Sequence, residues 1–424
     1  MLTIIVFILI LGVLIFVHEL GHFLVARRNG IKAEEFGFGF PPRIFGVQTW
    51  REKKLEKIAE EEKLEVDIQN AVSGGSEIIK ETVTDEKKEI DVVRSRRKWI
   101  WTWGKQGMAE ENPERDTIYS LNWIPLGGFV KIKGEDGENK DPDSFATKSA
   151  WTRTKVLAAG VLMNFALAWF LISVCLIIGI PEPVGENETR TDSKIQISEI
   201  ISDSPAKQIN LKIGDEILKE QKTLAGVKIE IKSIKDFQDY INANKGKEIL
   251  IQVQRGSEEL DLKGTPRIDY PENQGPLGIV MAETAIYKYP WYQAFWKGLQ
   301  ILFDLVLAML LALYGIVKNL LFGKAIGVEI AGPVGIAVLT KQATELGLVY
   351  ILQFVAILSI NLGIINAFPF PALDGGRILF IIIEKIKRSP VSQKTEQTFH
   401  AIGFAILIAL MLVVTFRDIL NVIK

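Results

Sequence analysis

The sequence predicts a polytopic α-helical membrane protein of four spans, with a β-rich segment between the first two and a small α+β domain after the second. Three observations carry this reading. Apolar runs at roughly 2–26, 156–180, 349–368 and 400–416 are each long enough to cross about 30 Å of hydrocarbon. Residues 185–282 alternate short β-like runs with turn residues and a single helix-like stretch. The 424 residues are 48% hydrophobic with a mean hydropathy of +0.19, too apolar for an ordinary soluble chain and too polar for one wholly in lipid.

The first span, residues 1–27, lacks the basic start and small-x-small cleavage site of a signal peptide. Its basic residues Arg27, Arg28 and Lys32 follow the apolar run, so the positive-inside rule puts the N-terminus outside and residue 27 in the cytoplasm. Residues 28–154 then form a cytoplasmic region. Within it, "EEFGFGFPPRIFG" and "IYSLNWIPLGGFVKIKG" mix Gly, Pro, aromatic and β-branched residues and predict short strands and turns. Between them the charged insertion at 51–116 reads as a solvated helix or a loop-rich segment.

The second span, 155–180, returns the chain outward and leaves residues 185–282 outside. In that domain "KIQISEII", "EILIQVQR" and "LGIVMA" predict strands, and "KSIKDFQDYINAN" a helix. The basic stretch at 384–394 belongs inside, so an odd number of crossings separates it from residue 290. The run at 291–323 carries Lys297, Asp304 and Lys318 and is assigned to an amphipathic or partly inserted helix. That leaves 348–386 as the third span and 399–417 as the fourth.

With 50 basic and 51 acidic residues, no Gly-rich phosphate loop and no dinucleotide fingerprint, nucleic-acid or nucleotide binding is not expected. Cys175, the only cysteine, lies in an apolar run and reads as a buried small hydrophobe, which rules out an intramolecular disulfide or a cysteine zinc cluster. Histidine is as scarce, at His18, His22 and His400.

Two of those three lie in the first span, in "FVHELGHFLVARR". Residues four apart share a helix face, so His18 and His22 present their imidazoles to one point, and Glu19 stands beside them as a general base. Ionisable groups at the centre of a membrane helix cost about 2.5–3.5 kcal/mol each, and a bound Zn2+ supplies the partner they need. Catalytic zinc usually takes three protein ligands and keeps one position open. His400, at the start of the last span beside cytoplasmic sequence, reads as structural. The best third ligand is Asp374 in "NAFPFPALDGGRILF", near the inner end of the third span. There Pro369 and Pro371 break the helix and Gly375 and Gly376 allow close backbone approach, a pattern that suits a buried or wet cavity.

With "HELGH" in the first span and "NAFPFPALDGG" in the third, the chain resembles the site-2 protease family of intramembrane zinc metalloproteases, and most the bacterial regulator of sigma-E protease type. "IPLGGFVKIKGED", "SFATKSAWTRTKVLAAGVLMNF", "SPAKQINLKIGDEI" and "AGPVGIAVLTKQATELG" extend the resemblance over nearly the whole chain. It implies a bacterial inner-membrane enzyme with His18, His22 and Asp374 as zinc ligands, Glu19 as catalytic base and Asn366 holding the substrate backbone. The "GFGF" and "PLGGFV" strands resemble the family's membrane-associated β element, whose edge pairs with an unwound substrate. Residues 185–282 resemble a PDZ domain of rearranged strand order, present once where some members carry two. Implied substrates are single-span proteins, such as anti-sigma factors already trimmed by an upstream site-1 protease, and signal-peptide remnants.

Two other classes compete with the protease reading. A metal transporter would need a continuous polar path and more ligands than three histidines allow. A catalytically inactive PDZ scaffold has no use for Glu19. Neither accounts for Asp374 as well.

Overall fold

The computed structural model describes residues 2–59, 78–81, 89–103, 115–135, 137, 141–184, 193–201, 203–271, 274–323, 332–389 and 391–423. In chain order the elements are α1 (Leu2–Arg28), β1 (Ala33–Ala59), β2 (Ile78–Glu81), β3 (Glu89–Trp103), β4 (Arg115–Ile132) and α2 (Ala150–Ile178). Next come β5 (Ile180–Pro183), β6 (Lys194–Ile200), α3 (Pro205–Gln208), β7 (Glu216–Ile217), β8 (Glu220–Lys222) and β9 (Lys228–Glu230). They are followed by α4 (Ile234–Ala243), β10 (Ile249–Arg255), β11 (Glu258–Gly264) and β12 (Ile279–Tyr287). The chain ends in α5 (Trp291–Leu321), α6 (Pro333–Leu346), α7 (Leu348–Ala367), α8 (Asp374–Lys387) and α9 (Gln393–Ile423). Two compact units result, one of residues 8–163 and 366–402, the other of 1–7, 164–365 and 403–424.

Five helices among the described residues are long and apolar enough to cross a membrane: Thr3–Arg28, Ala150–Ile178, Trp291–Leu321, Leu348–Ala367 and Gln393–Leu420. The sequence reading counts four and sets 291–323 aside. That run is one unbroken helix of 31 residues, which adds a fifth candidate. Its charges at 297, 304 and 318 repeat at multiples of seven and so stack on one stripe, leaving the rest of the surface apolar.

In the first unit the sheet order is β2-β3-β1-β4, antiparallel throughout. β1 bends near Pro41 and Pro42. Its first limb pairs with both limbs of β4, Phe36 facing Val130 on one side and Tyr119 on the other, while its second limb pairs with β3 from Phe45 to Ala59. The Gly128–Ile132 limb of β4 therefore forms a sheet edge with no further strand beside it among the described residues. A buried ion pair steadies the bend, with Arg43 Nε and Nη2 donating to the two Glu35 carboxylate oxygens at 3.0 and 2.6 Å.

This sheet packs on α1 through Phe23, Ala33 and Phe36, the Phe23 and Phe36 rings stacked at 4.6 Å. Such a pair contributes about 0.5–1.5 kcal/mol beyond its area burial. A second cluster, Ala26, Ile31, Ile132, Phe145, Val156, Leu157 and Ile381, ties α1, β4, α2 and α8 together at one end. The charged insertion differs from its sequence reading. Its described parts, 51–59, 78–81 and 89–103, are strands, and its positions 60–77, 82–88 and 104–114 lie outside the described residues. The reason is local: "EIDVVRSRRKWIWTW" places β-branched and aromatic residues among the charges, and those side chains favour a pleated backbone.

The second unit holds a six-stranded sheet in the order β11-β10-β7-β6-β12-β5 and a separate β8-β9 hairpin. Its core comprises Ile195, Ile197, Ile217, Phe237, Ile241, Ile251, Val253 and Leu277. A capping box starts α4: Ser233 accepts from the Asp236 backbone N–H and Asp236 from that of Ser233. Inside the same domain Arg255 clamps the fully buried Asp215 with Nε and Nη2, both at 2.7 Å.

Candidate active site

Each predicted ligand is delivered by a different local rule. The i, i+4 spacing on α1 puts His18 and His22 on one face, their Nε2 atoms 3.2 Å apart, and both residues are buried. Asp374 is the first residue of α8. The chain reaches it through a break after α7 at "FPFPAL", where prolines end one helix and Ala372 takes a left-handed φ of 76°. Asp374 Oδ2 then lies 3.1 Å from His18 Nε2 and 3.3 Å from His22 Nε2.

These three side chains could hold a metal ion, their ligand atoms all lying within 4.8 Å of one another. Ligands placed tetrahedrally at about 2.0–2.1 Å from zinc stand roughly 3.3 Å apart, which matches the observed spacing. The proton positions agree. Val156 of α2 can offer only a carbonyl, so His22 donates to it from Nδ1 at 2.8 Å and turns the lone pair of Nε2 toward the carboxylate. Asp374 Oδ2 is buried and accepts no hydrogen bond. Two acceptors facing each other at this distance call for a cation between them, and the donor set fits a zinc ion.

The space is kept open by glycine. A Cβ added at Gly160 of α2 would stand 2.5 Å from His22 Nε2, and one at Gly21 of α1 would meet the Ala159 carbonyl oxygen at 2.4 Å. Only glycine lets the two helices approach this closely. Gly375 and Gly376 do the same for the break, where a Cβ would meet the carbonyl oxygens of Ala367 and Phe370 at 2.3 and 2.2 Å. The close approach expected of that pair from sequence is therefore a packing necessity.

Beside the ligands lies a cavity of about 140 Å³ lined by Glu19, Val130, Ile132, Glu135, Leu373 and Arg377 among others. Glu19 shares it with all three ligand residues. Asn366, in the last turn of α7, is partly buried and is not among the residues lining it. His400 does not reach the cluster. Its Nδ1 accepts the Ala372 backbone N–H at 2.8 Å, which holds the strained residue two places before Asp374.

Sequence reasoning missed Arg377 and Glu135. Arg377 follows Asp374 by three positions and so shares its helix face, and its Nη1 donates to Glu135 on the turn that follows the β4 edge. The pair joins α8 to that edge across the cavity. "DGGR" and "KGED" were both in view, but nothing short of the fold pairs residues 242 positions apart. Arg153 of α2 adds a second tie to α8, donating to Glu384 at 2.7 Å.

Comparison with known proteins finds similarity along nearly the whole chain. The model of peptidase family M50 matches residues 6–58 and 104–410. The regulator of sigma-W protease RasP of Bacillus subtilis is 31% identical to this chain, with 98% of each sequence covered. The zinc metalloprotease RasP of Geobacillus kaustophilus is also 31% identical, over 98% of this chain and 97% of its own, and a putative zinc metalloprotease of Clostridium perfringens is 29% identical over 96% and 95%. With a family model over most of the chain and full-length similarity of this kind, the chain belongs to peptidase family M50, the site-2 proteases.

Proposed function

We propose that this chain is a zinc metalloendopeptidase that hydrolyses peptide bonds within or near the membrane segments of single-span proteins. One observation carries the reading: His18, His22 and Asp374 converge beside Glu19 at the end of an apolar helix long enough to cross a membrane. His18, His22 and Asp374 would hold the ion. When bound, zinc would lower the pKa of its water to about 7 and polarise the scissile carbonyl.

Glu19 takes the proton of the attacking water and returns it to the leaving amine. Val156 and Gly160 keep the imidazoles in place while this happens. A transmembrane helix shields its own amides, so the substrate must unwind locally before attack. The Gly128–Ile132 edge of β4, whose Val130 and Ile132 line the cavity, offers backbone groups that an extended substrate strand can pair with. Asn366, by family resemblance, holds the substrate backbone near the break.

Residue 27 and the first sheet face the cytoplasm in this reading, and the 185–282 region is a PDZ-like domain outside the membrane. A cavity of about 240 Å³ beside α4 and β12, lined by Phe237, Ile241, Leu277 and Ile279, supports its binding the trimmed end of a substrate. The Bacillus subtilis relative is named a regulator of sigma-W protease, and the family resemblance suggests anti-sigma factors trimmed by an upstream site-1 protease as one substrate class. Signal-peptide remnants are the other.

The test is cleavage of a labelled single-span substrate by purified protein, wild type against Glu19→Gln at equal zinc content. Loss of about 10²–10⁴ in kcat with zinc retained is the expected outcome. A variant that binds no less zinc and cuts at the wild-type rate would remove Glu19 from the chemistry.

A further inference from the structure

The β1-β3 part of the first sheet is turned inside out relative to a soluble sheet. Val47 pairs with both Trp101 and Tyr119, and Phe45 with both Trp103 and Leu121, so these residues share one face. On that face Trp99, Trp101 and Trp103 are 65%, 63% and 68% exposed, Tyr119 41% and Trp123 67%. The other face holds Gln48, Ser120 and Asn122, all buried. Aromatic outside and polar inside is the arrangement of a surface that meets lipid.

The register also sets its depth. Arg27, in the last turn of the apolar helix α1, donates to the Tyr119 hydroxyl at 2.9 Å. Trp101 stands on the same row, two strands or about 10 Å away. Trp103 shares a row with Leu121, whose partner Phe38 packs against Phe16 farther down α1. Trp99 lies one step the other way. The three indoles thus cover about 13 Å of depth centred on the end of the span, where tryptophan gathers in membrane proteins.

Directly beyond the stripe the chain turns basic. Residues 51–54 and 94–98, which form one ladder, contain seven basic residues and one acidic. Arg51 pairs with Arg97 and Lys54 with Arg94. Like charges at facing register positions disfavour a sheet, so an anionic surface beside this basic stretch is favourable.

From this juxtaposition we propose that the β1-β3 ladder is a docking surface for anionic phospholipid. Trp99, Trp101 and Trp103 seat among the upper acyl chains, and the basic register positions beyond them lie at headgroup depth. The insertion thereby fixes the sheet, and the β4 edge with it, at the interface where α1 ends. This reading needs only the span assignment of α1 and stands apart from the zinc chemistry.

The test uses the full chain in nanodiscs of phosphatidylcholine, alone or mixed with phosphatidylglycerol. Tryptophan emission of wild type is compared with Trp99→Phe/Trp101→Phe/Trp103→Phe, which removes three of nine indoles. The difference signal is expected to be quenched by lipids brominated near the carbonyl end of the acyl chain, less by those brominated near the methyl end, and not by iodide. Single Trp→Phe variants give the same reading position by position if the triple one misfolds. Quenching by iodide alone would put the stripe in water, and quenching by neither would put it under protein; both overturn the proposal. Lys54→Gln/Arg94→Gln/Arg97→Gln should lower the preference for spin-labelled phosphatidylglycerol over phosphatidylcholine at least twofold. An unchanged preference would overturn the headgroup half.

Discussion

Two aspartates, Asp215 fully buried and Asp374 partly buried with its Oδ2 enclosed, show how differently the two units use the same side chain. Asp215, in the six-stranded domain, is surrounded by donors: two from Arg255 at 2.7 Å and the Lys212 backbone N–H at 2.9 Å. Asp374, in the unit with the histidines, aims an oxygen at two imidazole nitrogens and accepts no hydrogen bond there. The first carboxylate is complete as it stands. The second is complete only with a cation, so burial alone does not mark a functional acid; burial without a donor does.

Exchanging Asp for Asn at both positions breaks this comparison most directly. Asp374→Asn removes the charge that balances a dication, and both stoichiometric zinc and substrate cleavage should be lost, read by metal analysis and a cleavage assay on the same sample. Asp215→Asn leaves Arg255 buried without its anion. The second domain should lose roughly 3–5 kcal/mol while zinc content stays at the wild-type value. Zinc loss from the Asp215 variant, or zinc retained at full strength by the Asp374 variant, would end the distinction.

A smaller effect is expected from the space around the histidines. In Gly160→Ala the new methyl collides with His22 Nε2, so zinc affinity should fall by about 10–100-fold, the scale on which neighbours of metal ligands act. Gly315→Ala, on α5 with nothing near its would-be Cβ, is the matched control and should change nothing. Smaller again is Arg377→Gln. It should lower kcat about tenfold with zinc content unchanged, because it frees the β4 edge from α8 without touching a ligand. Arg377→Lys should recover part of the rate.

Legibility in the sequence followed the same division. His18, His22 and Glu19 are written in one helical turn, and Asp374 in a Pro-broken motif, so residue spacing alone brings them into view. Val156 contributes a backbone carbonyl, which no side-chain pattern announces, and the Arg377 to Glu135 pair exists only once β4 and α8 are packed. The insertion was misread for a different reason. Its charge count suggests a solvated segment, whereas the alternation in "KWIWTW" sets the backbone, and pairing with β1 over fifteen positions outweighs the charges. In the second domain, strands and the α4 helix were readable because an apolar face against water leaves its period in the sequence.

The smallest effect concerns that domain's pH response. Asp236 is held below the ordinary carboxylate value of 3.8, first by the Lys232 backbone N–H and then by Ser233. Its folded value being the lower one, the carboxylate stabilises α4 fully at pH above 3.8, and this contribution fades as pH falls through the depressed value. Wild type should therefore lose protection of the first-turn amides of α4 on acidification below pH 4 more steeply than Asp236→Ala, read by hydrogen exchange corrected for intrinsic rates. The metal site lies in the other unit, so zinc content of the two proteins should remain equal at every pH. An equal loss in the two proteins would mean that the cap draws its strength from Ser233 alone, and Asp236, unlike the ion-paired Asp215, would then have no role that depends on its charge.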